Sequence, residues 1–372
     1  MQCPMDIRAE LLERSLDAGL PPYQAVDAAS RMWRFVRDGD GDGRGDATVV
    51  GVRFIKSLGT WDRINAEGCQ FEPTDGFFDR HPIWGSIRQV TVDGQAMVRI
   101  PAFYWKREET EGELRLWVSD VPAEGFQRHP AFRLDGRDIP AVEVGAYQAC
   151  LDGSVAGSRA GTDPLTQVDF SQMQHYCARG NGFGLWSIYE LGAIKLLALI
   201  ELGTPDNQNA IGFGNCRGGR PQPAGSTVAN WRGLNELWGN VWQMVDGLRH
   251  DDEGRAVIWD TQGRQQWIET GVRSPVANGL GWIDGFHGAG NSDWDLGAAF
   301  LPNAVTSDRE SAAGPDYYIA PDIGHASVTY HGGDWSHGSE AGLFMLYCNS
   351  PASVTHTHLG GRLARRVLSP ET

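Results

Sequence analysis

Positive charge, lysine and long apolar runs are all scarce in this 372-residue chain, and each scarcity excludes something. Thirty-two Lys and Arg face 47 Asp and Glu, for a formal net charge of −15. So acidic a chain is expected to bind neither nucleic acid nor an anionic membrane surface, because both need a basic face. Only Lys56, Lys106 and Lys195 are lysines, a bias that carries no function. The longest apolar stretch, 191–202, contains Lys195 and Glu201 and is too short to span a bilayer, so no membrane insertion is expected. The amino terminus, MQCPMDIRAELLERS, has no apolar run of the signal-peptide kind, so the ordinary secretory route is not expected. Six cysteines (Cys3, Cys69, Cys150, Cys177, Cys216, Cys348) are widely spread with no CxxC pair, which points to free thiols.

Glycine and tryptophan are abundant instead. Forty-eight glycines are about twice the usual share. With 14 Trp, they suggest a loop-rich fold pinned by aromatic packing rather than by long regular elements.

Along the chain, residues 6–36 read as two short helices, with Ile7, Leu11, Leu12 and Leu16 on the face of the first. The acidic run from Asp38 to Asp46 breaks all periodicity. From 46 to 137 the pattern is strand-like, with a hairpin turn at Asp93-Gly94 between apolar runs. After Ile139 comes one strand, 141–149, then a loop, then the best helix of the chain, 187–202. Ser187 and Glu190 make a capping box there, and Gly203 stops it. The remaining 170 or so residues offer only short strands. This divides the chain into a helical segment with an acidic loop (1–45), a small β-rich domain (46–137) and a larger carboxy-terminal domain (138–372), an α+β protein.

Three candidate sites emerge. Asp38, Asp40, Asp42 and Asp46 match the first nine positions of an EF-hand calcium loop, but the twelfth, which should be a bidentate Glu, is Val49. A solvated acidic linker competes with calcium there; no other cofactor is expected. His356 and His358, with His331 or His337, form a zinc candidate, against which stands the simpler reading of imidazoles drawn by chance onto a surface. The third is Trp238-Gly-Asn-Val-Trp-Gln243, which on residue chemistry alone is an aromatic core turn.

That turn also carries a resemblance. It is similar to the "GNVWEW" signature of the formylglycine-generating-enzyme-like subclass of the C-type lectin fold. Val142-Glu-Val-Gly-Ala-Tyr147 resembles that family's first strand and Gly184-Leu-Trp-Ser-Ile-Tyr-Glu190 its helix start. His331-Gly-Gly-Asp-Trp335 and Leu359-Gly-Gly-Arg-Leu-Ala-Arg365 resemble its terminal frame. The resemblance spans roughly residues 139–366 and implies a carboxy-terminal lectin-like fold with irregular Gly/Trp-rich loops. The family's oxidising enzymes need two cysteines inside the terminal frame, and this chain has only Cys348 there. Its calcium turn uses a Glu where this chain has Gln243, with Glu236 at an earlier ligand position.

What the resemblance implies instead is the other branch, the variable proteins of diversity-generating retroelements, phage tail adhesins among them. In these the segment 331–366 is rewritten by adenine-directed mutagenesis. Matching the pattern puts the rewritten, ligand-binding positions at Asp334, Ser336, His337, Tyr347, Asn349, Ser350, Val354, His356 and His358. Each of these residue types is reachable from an Asn codon by changing its two adenines. Val354, His356 and His358 alternate along the chain, so an extended segment would present them on one face. The expectation is a non-enzymatic receptor-binding protein of a phage or prophage virion tail, with a host-cell surface protein or another macromolecule as partner. The competing readings are a formylglycine-generating-type oxidoreductase and an inert structural tail component.

Overall fold

The computed structural model describes residues 48–262, 264–274, 279–310 and 312–366. The expected amino-terminal helices and the calcium candidates Asp38, Asp40, Asp42 and Asp46 lie outside those residues. The described chain is mostly β with few helices, arranged in two five-stranded sheets, one nine-stranded sheet and two small ribbons. Among the described residues no helix is long and apolar enough to cross a membrane.

The first sheet runs in the order Thr60–Asn65, Val49–Ile55, Glu113–Ser119, Tyr104–Glu109, Gln127–Arg128, all antiparallel. Val50, Val52 and Phe54 bury one face of the strand Val49–Ile55. The intervening Gly51 sits where a Cβ would come within 2.2 Å of the Leu116 carbonyl oxygen, so two strands meet there more closely than any side chain allows.

The second sheet runs Phe183–Leu185, Leu363–Arg366, Ala141–Gly145, Gln95–Pro101, Arg88–Val92. Its outer hairpin turns at Asp93 (φ 49°) and Gly94 (φ 76°), the left-handed pair that an Asp-Gly turn favours. This sheet crosses the expected boundary at 137/138: Gln95–Pro101, upstream of it, pairs with Ala141–Gly145, downstream. One contiguous hydrophobic core, from Val50 to Ala364, unites the two regions.

The long helix is Ile188–Leu202, with Ser187 as N-cap, the Ser187 amide donating to Glu190 Oε2 at 2.7 Å and Gly203 left-handed at φ 68°. Leu191, Ile194, Leu197 and Ala198 are among its buried residues, and so is Gly192, where a Cβ would meet the Ala298 carbonyl oxygen at 1.9 Å. A second helix, Phe170–Cys177, occupies the stretch between the strand Ala141–Gly145 and the long helix, where a loop is expected. Asp169 and Gln172 cap it reciprocally, a signal legible in the sequence.

The expectation of only short strands after residue 203 is also corrected. Trp242–His250 is nine residues long and sits inside the nine-stranded sheet, next to Arg255–Trp259 on one side and Ser327–His331 on the other. Leu346–Ser350 follows Ser327–His331 in that sheet, and the short strand Leu359–Gly360 lies parallel to the start of Trp242–His250. The glycine-rich sequence concealed this sheet because, beyond two local hairpins, its pairings join strands distant in the chain.

Candidate functional site

The motifs that carry the resemblance converge. Val142–Val144 pairs with Ala364–Arg366, and Phe183–Leu185 with Leu363–Arg365. Trp242 and Gln243 pair with Leu359 and Gly360, and Gln243–Val245 with Thr329–His331. At their junction sits Arg362, fully buried. It donates from Nη1 to the Gly145 carbonyl (2.8 Å), from Nη2 to the Asn235 and Glu236 carbonyls (2.6 and 2.8 Å) and from Nε to Gln243 Oε1 (2.7 Å). A planar five-donor group spans four acceptors from three segments, which an ammonium cannot do. Burial lowers its pKa to about 10, partly opposed by Glu236, so it stays charged at neutral pH.

Backbone geometry fixes the rest of the frame. Gly239 (φ 72°) leaves no room for a Cβ beside Cys216 Sγ at 2.6 Å. Asn240 (φ 66°) spends its amide on Gln148 Oε1 and the Gln222 carbonyl, and accepts from Asn215 Nδ2 and the Gln222 amide.

The calcium turn that the resemblance implies does not fit these residues. Gln243 Nε2 donates to the Glu236 and Leu237 carbonyls at 3.0 and 3.2 Å, where a cation would need those oxygens for itself. Glu236 turns its Oε1 to the amides of Gly225 and Thr227, and burial raises its pKa against those bonds and Arg362.

The frame holds up the segment 334–358. Asp334 is its anchor: only 2 % of its side chain is exposed, and its Oδ1 accepts from the Ser336 amide (2.8 Å), Ser336 Oγ (2.7 Å) and His337 Nδ1 (2.8 Å). Its Oδ2 faces His358 Nδ1 at 3.2 Å. Burial pushes the Asp334 carboxyl up, but its bonds to His337 and Ser336 outweigh that and hold it below the ordinary carboxylate range. His358 is lowered by burial, against the pull of Asp334. His356 lies against His358, ring centroids 3.8 Å apart, and Trp335 flanks His358 at 6.0 Å. Trp242, from the frame, packs edge-on against both His337 (4.7 Å) and Tyr347 (5.5 Å).

Six of the nine expected positions therefore form one cluster: Asp334, Ser336, His337, His356 and His358 by direct contact, and Tyr347 through Trp242. Ser336 and His356 are exposed; His337, Tyr347 and His358 are half-buried. Asn349 shares the outward face of its strand with Tyr347 and accepts from the Asp322 amide. Two positions differ from expectation. Asp334 is a buried tie rather than a free side chain, and Ser350 falls on the inward face with Leu346 and Cys348 because strand side chains alternate.

The extended run through Val354, His356 and His358 is corrected too. The chain turns twice here, with the Val354 amide donating to Pro351 and the Leu359 amide to His356. Val354 packs partly against the core, and the two histidines come together by a turn rather than by alternation.

Among the described residues no group of three His, Cys, Asp or Glu is arranged to hold a metal ion. His331, an expected zinc partner, is fully buried with Nε2 at 2.8 Å from the Leu237 carbonyl and Nδ1 at 3.2 Å from that of Met345. Burial, together with Lys195 and Arg362, keeps it neutral despite those two carbonyls. Cys348 is fully buried and its pKa is raised by burial to about 12. A thiol so placed is a small hydrophobe, not a nucleophile or metal ligand. In native protein, brief alkylation is expected to label the exposed Cys69 and spare Cys348 until denaturant is added, which peptide mass spectrometry checks.

No family model matches the chain, and no curated protein does. Among solved structures it is similar to PvdO from Pseudomonas aeruginosa, at 13% identity over 75% of this chain and 98% of that one, with a TM-score of 0.34. It is also similar to Treponema denticola variable protein 1, at 12% identity over 76% and 99%, with a TM-score of 0.34. The Major Tropism Determinant U1 variant matches at 12% identity over 87% and 73%, with a TM-score of 0.30. Superpositions this loose carry no argument about function, which rests on the geometry of the chain itself.

Proposed function

We propose that this chain is a non-enzymatic ligand-binding protein of C-type lectin-like architecture, in which residues 138–372 display a surface diversified by a retroelement. Its virion-tail setting and a host-cell receptor as partner belong to the same reading. The observation that carries it is the separation of roles at Trp242. On one side it is built into the buried frame around Gln243 and Arg362; on the other it supports His337 and Tyr347, which with Ser336, His356 and His358 make one accessible patch. Imidazole and phenol groups suit such a patch, having few rotors, an apolar body and a polar tip.

Asp334 narrows the proposal. It ties two loops together and is expected to resist change, whereas Ser336, His337, Tyr347, His356 and His358 are expected to vary. A displayed library randomised at those five positions, selected against two unrelated protein surfaces, tests this. Distinct folded binders to each surface are expected. A library that yields folded members but no binder to either would refute the patch.

A further inference from the structure

A cleft of about 390 Å³ opens between the segment 130–135 and the outer hairpin of the nine-stranded sheet, and none of its lining residues belongs to the patch. One wall is an aromatic corner. Trp259, 38 % exposed, meets its cross-strand partner Trp267 with ring centroids 5.3 Å apart at 80°. The Arg249 guanidinium lies 4.0 Å from the Trp267 ring, fixing that indole within the hairpin. Gln174, Asp246 and Tyr189 add polar lining.

The basic groups of this cleft are already matched, while Asp246 and Asp135 have only amide donors among the described residues. Arg366 is paired with Glu190, Asp260 with Arg264, and Arg133 faces Asp138 at 3.5 Å. Asp246 accepts from Gln174 Nε2 at 2.9 Å and from the Gly247 amide at 2.7 Å, which leaves each carboxylate oxygen a further lone pair. The Tyr189 hydroxyl accepts from the Asp295 amide and keeps its proton to donate. An anionic ligand would have to break one of these pairs and face Asp246 and Asp135, and a hydrocarbon would leave the polar lining unsatisfied, whereas hydroxyl groups can donate to those carboxylates. The fitting ligand is neutral, with a C–H face to lie on an indole and hydroxyl groups on its edge.

We propose that this cleft is a second binding site, for a pyranose unit of a neutral saccharide, with Trp259 as its platform and Asp246 and Gln174 as hydroxyl acceptors. It is independent of the patch and does not rest on its diversification.

Saturation-transfer NMR of the full chain with the methyl glycosides of glucose, galactose and N-acetylglucosamine tests it, with the matching disaccharides separating a free sugar from a glycan end. At least one is expected to bind. Trp259→Ala should weaken binding by about tenfold or more, Trp259→Phe should retain part of it, and Gln174→Ala should weaken it in a protein that melts normally. His356→Asn with His358→Asn should leave it unchanged. The site is overturned if no sugar binds, if Trp259→Ala binds as well as the parent, or if the histidine variant loses binding in parallel.

Discussion

Arg362→Ala is expected to cost about 3–5 kcal/mol, read as a shift in the urea unfolding midpoint with little change in slope. The change removes the one group that joins the strand ending at Gly145, the Asn235–Glu236 loop, Gln243 and the terminal strand. It takes the arginine donor from the Gly145 and Asn235 carbonyls and the Gln243 amide oxygen, while the Glu236 carbonyl keeps Gln243 Nε2. Buried polar groups stripped of partners cost about 1–3 kcal/mol each before relaxation or water entry offsets part of it. Arg362→Lys should recover less than half, because an ammonium cannot reach acceptors spread around a guanidinium plane. If Arg362→Ala instead unfolds within about 1 kcal/mol of the parent, the frame is not held together where its motifs meet.

The second large effect is acid sensitivity. Burial lowers His81 and His129 to about 3 and His250 to about 4, and drives His331 well below its ordinary value. Each folded pKa lies under the unfolded value of about 6.5, so each histidine contributes stability that is full above that value and lost as pH falls. Asp316 works the other way: burial raises it to about 8, so its folded form keeps a proton that the unfolded chain releases above about 4. Burial lowers its neighbour Lys195 to about 7, a change that falls above the acid window.

Between pH 6 and 5 the lowered imidazoles outweigh Asp316, so unfolding takes up protons, and each net proton is worth on the order of 1 kcal/mol per pH unit. The urea midpoint is therefore expected to fall steeply over that unit. A flat profile would mean that these imidazoles are already charged in the folded protein.

How far the sequence reveals this molecule depends on the range of the contacts involved. The Asp93-Gly94 hairpin, the Ser187 cap and the Gly203 stop are local, and a few neighbouring residues specify them. Asp169 and Gln172 carry the same kind of signal for Phe170–Cys177, in a stretch whose weak apolar pattern hides it. Asp334 shows the opposite case. Nothing beside it in the chain says that His358, 24 residues on, will return to its carboxylate, so it looks like one more exposed polar residue. Ser350 shows the need for register: the strand begins at Leu346, and only that start sets which residues face inward. The aromatic corner at Trp259 and Trp267 was missed because much of the cleft's lining comes from Gln174, Tyr189 and the 130–135 segment, all remote in sequence.

Contact partners separate the replaceable side chains from the fixed ones. Ser336, His337, His356 and His358 touch each other, Asp334 and indole edges, and Val354 lies only partly against the core. Asn at 336, 337 or 358 still offers the Asp334 carboxylate a side-chain donor, and replacements that keep such a bond are expected to cost about 0.5 kcal/mol or less each. Gly239, Asn240, Gln243 and Arg362 have no such latitude, since each meets backbone atoms at contact distance.

The most direct measurement is the thermal unfolding of one protein carrying Asn at 336, 337, 354, 356 and 358 together. The account predicts a single cooperative transition within about 5 °C of the parent, with the binding surface changed throughout. Loss of cooperativity, or a fall of more than about 10 °C, would show that those side chains build the fold rather than decorate it, and would contradict the account.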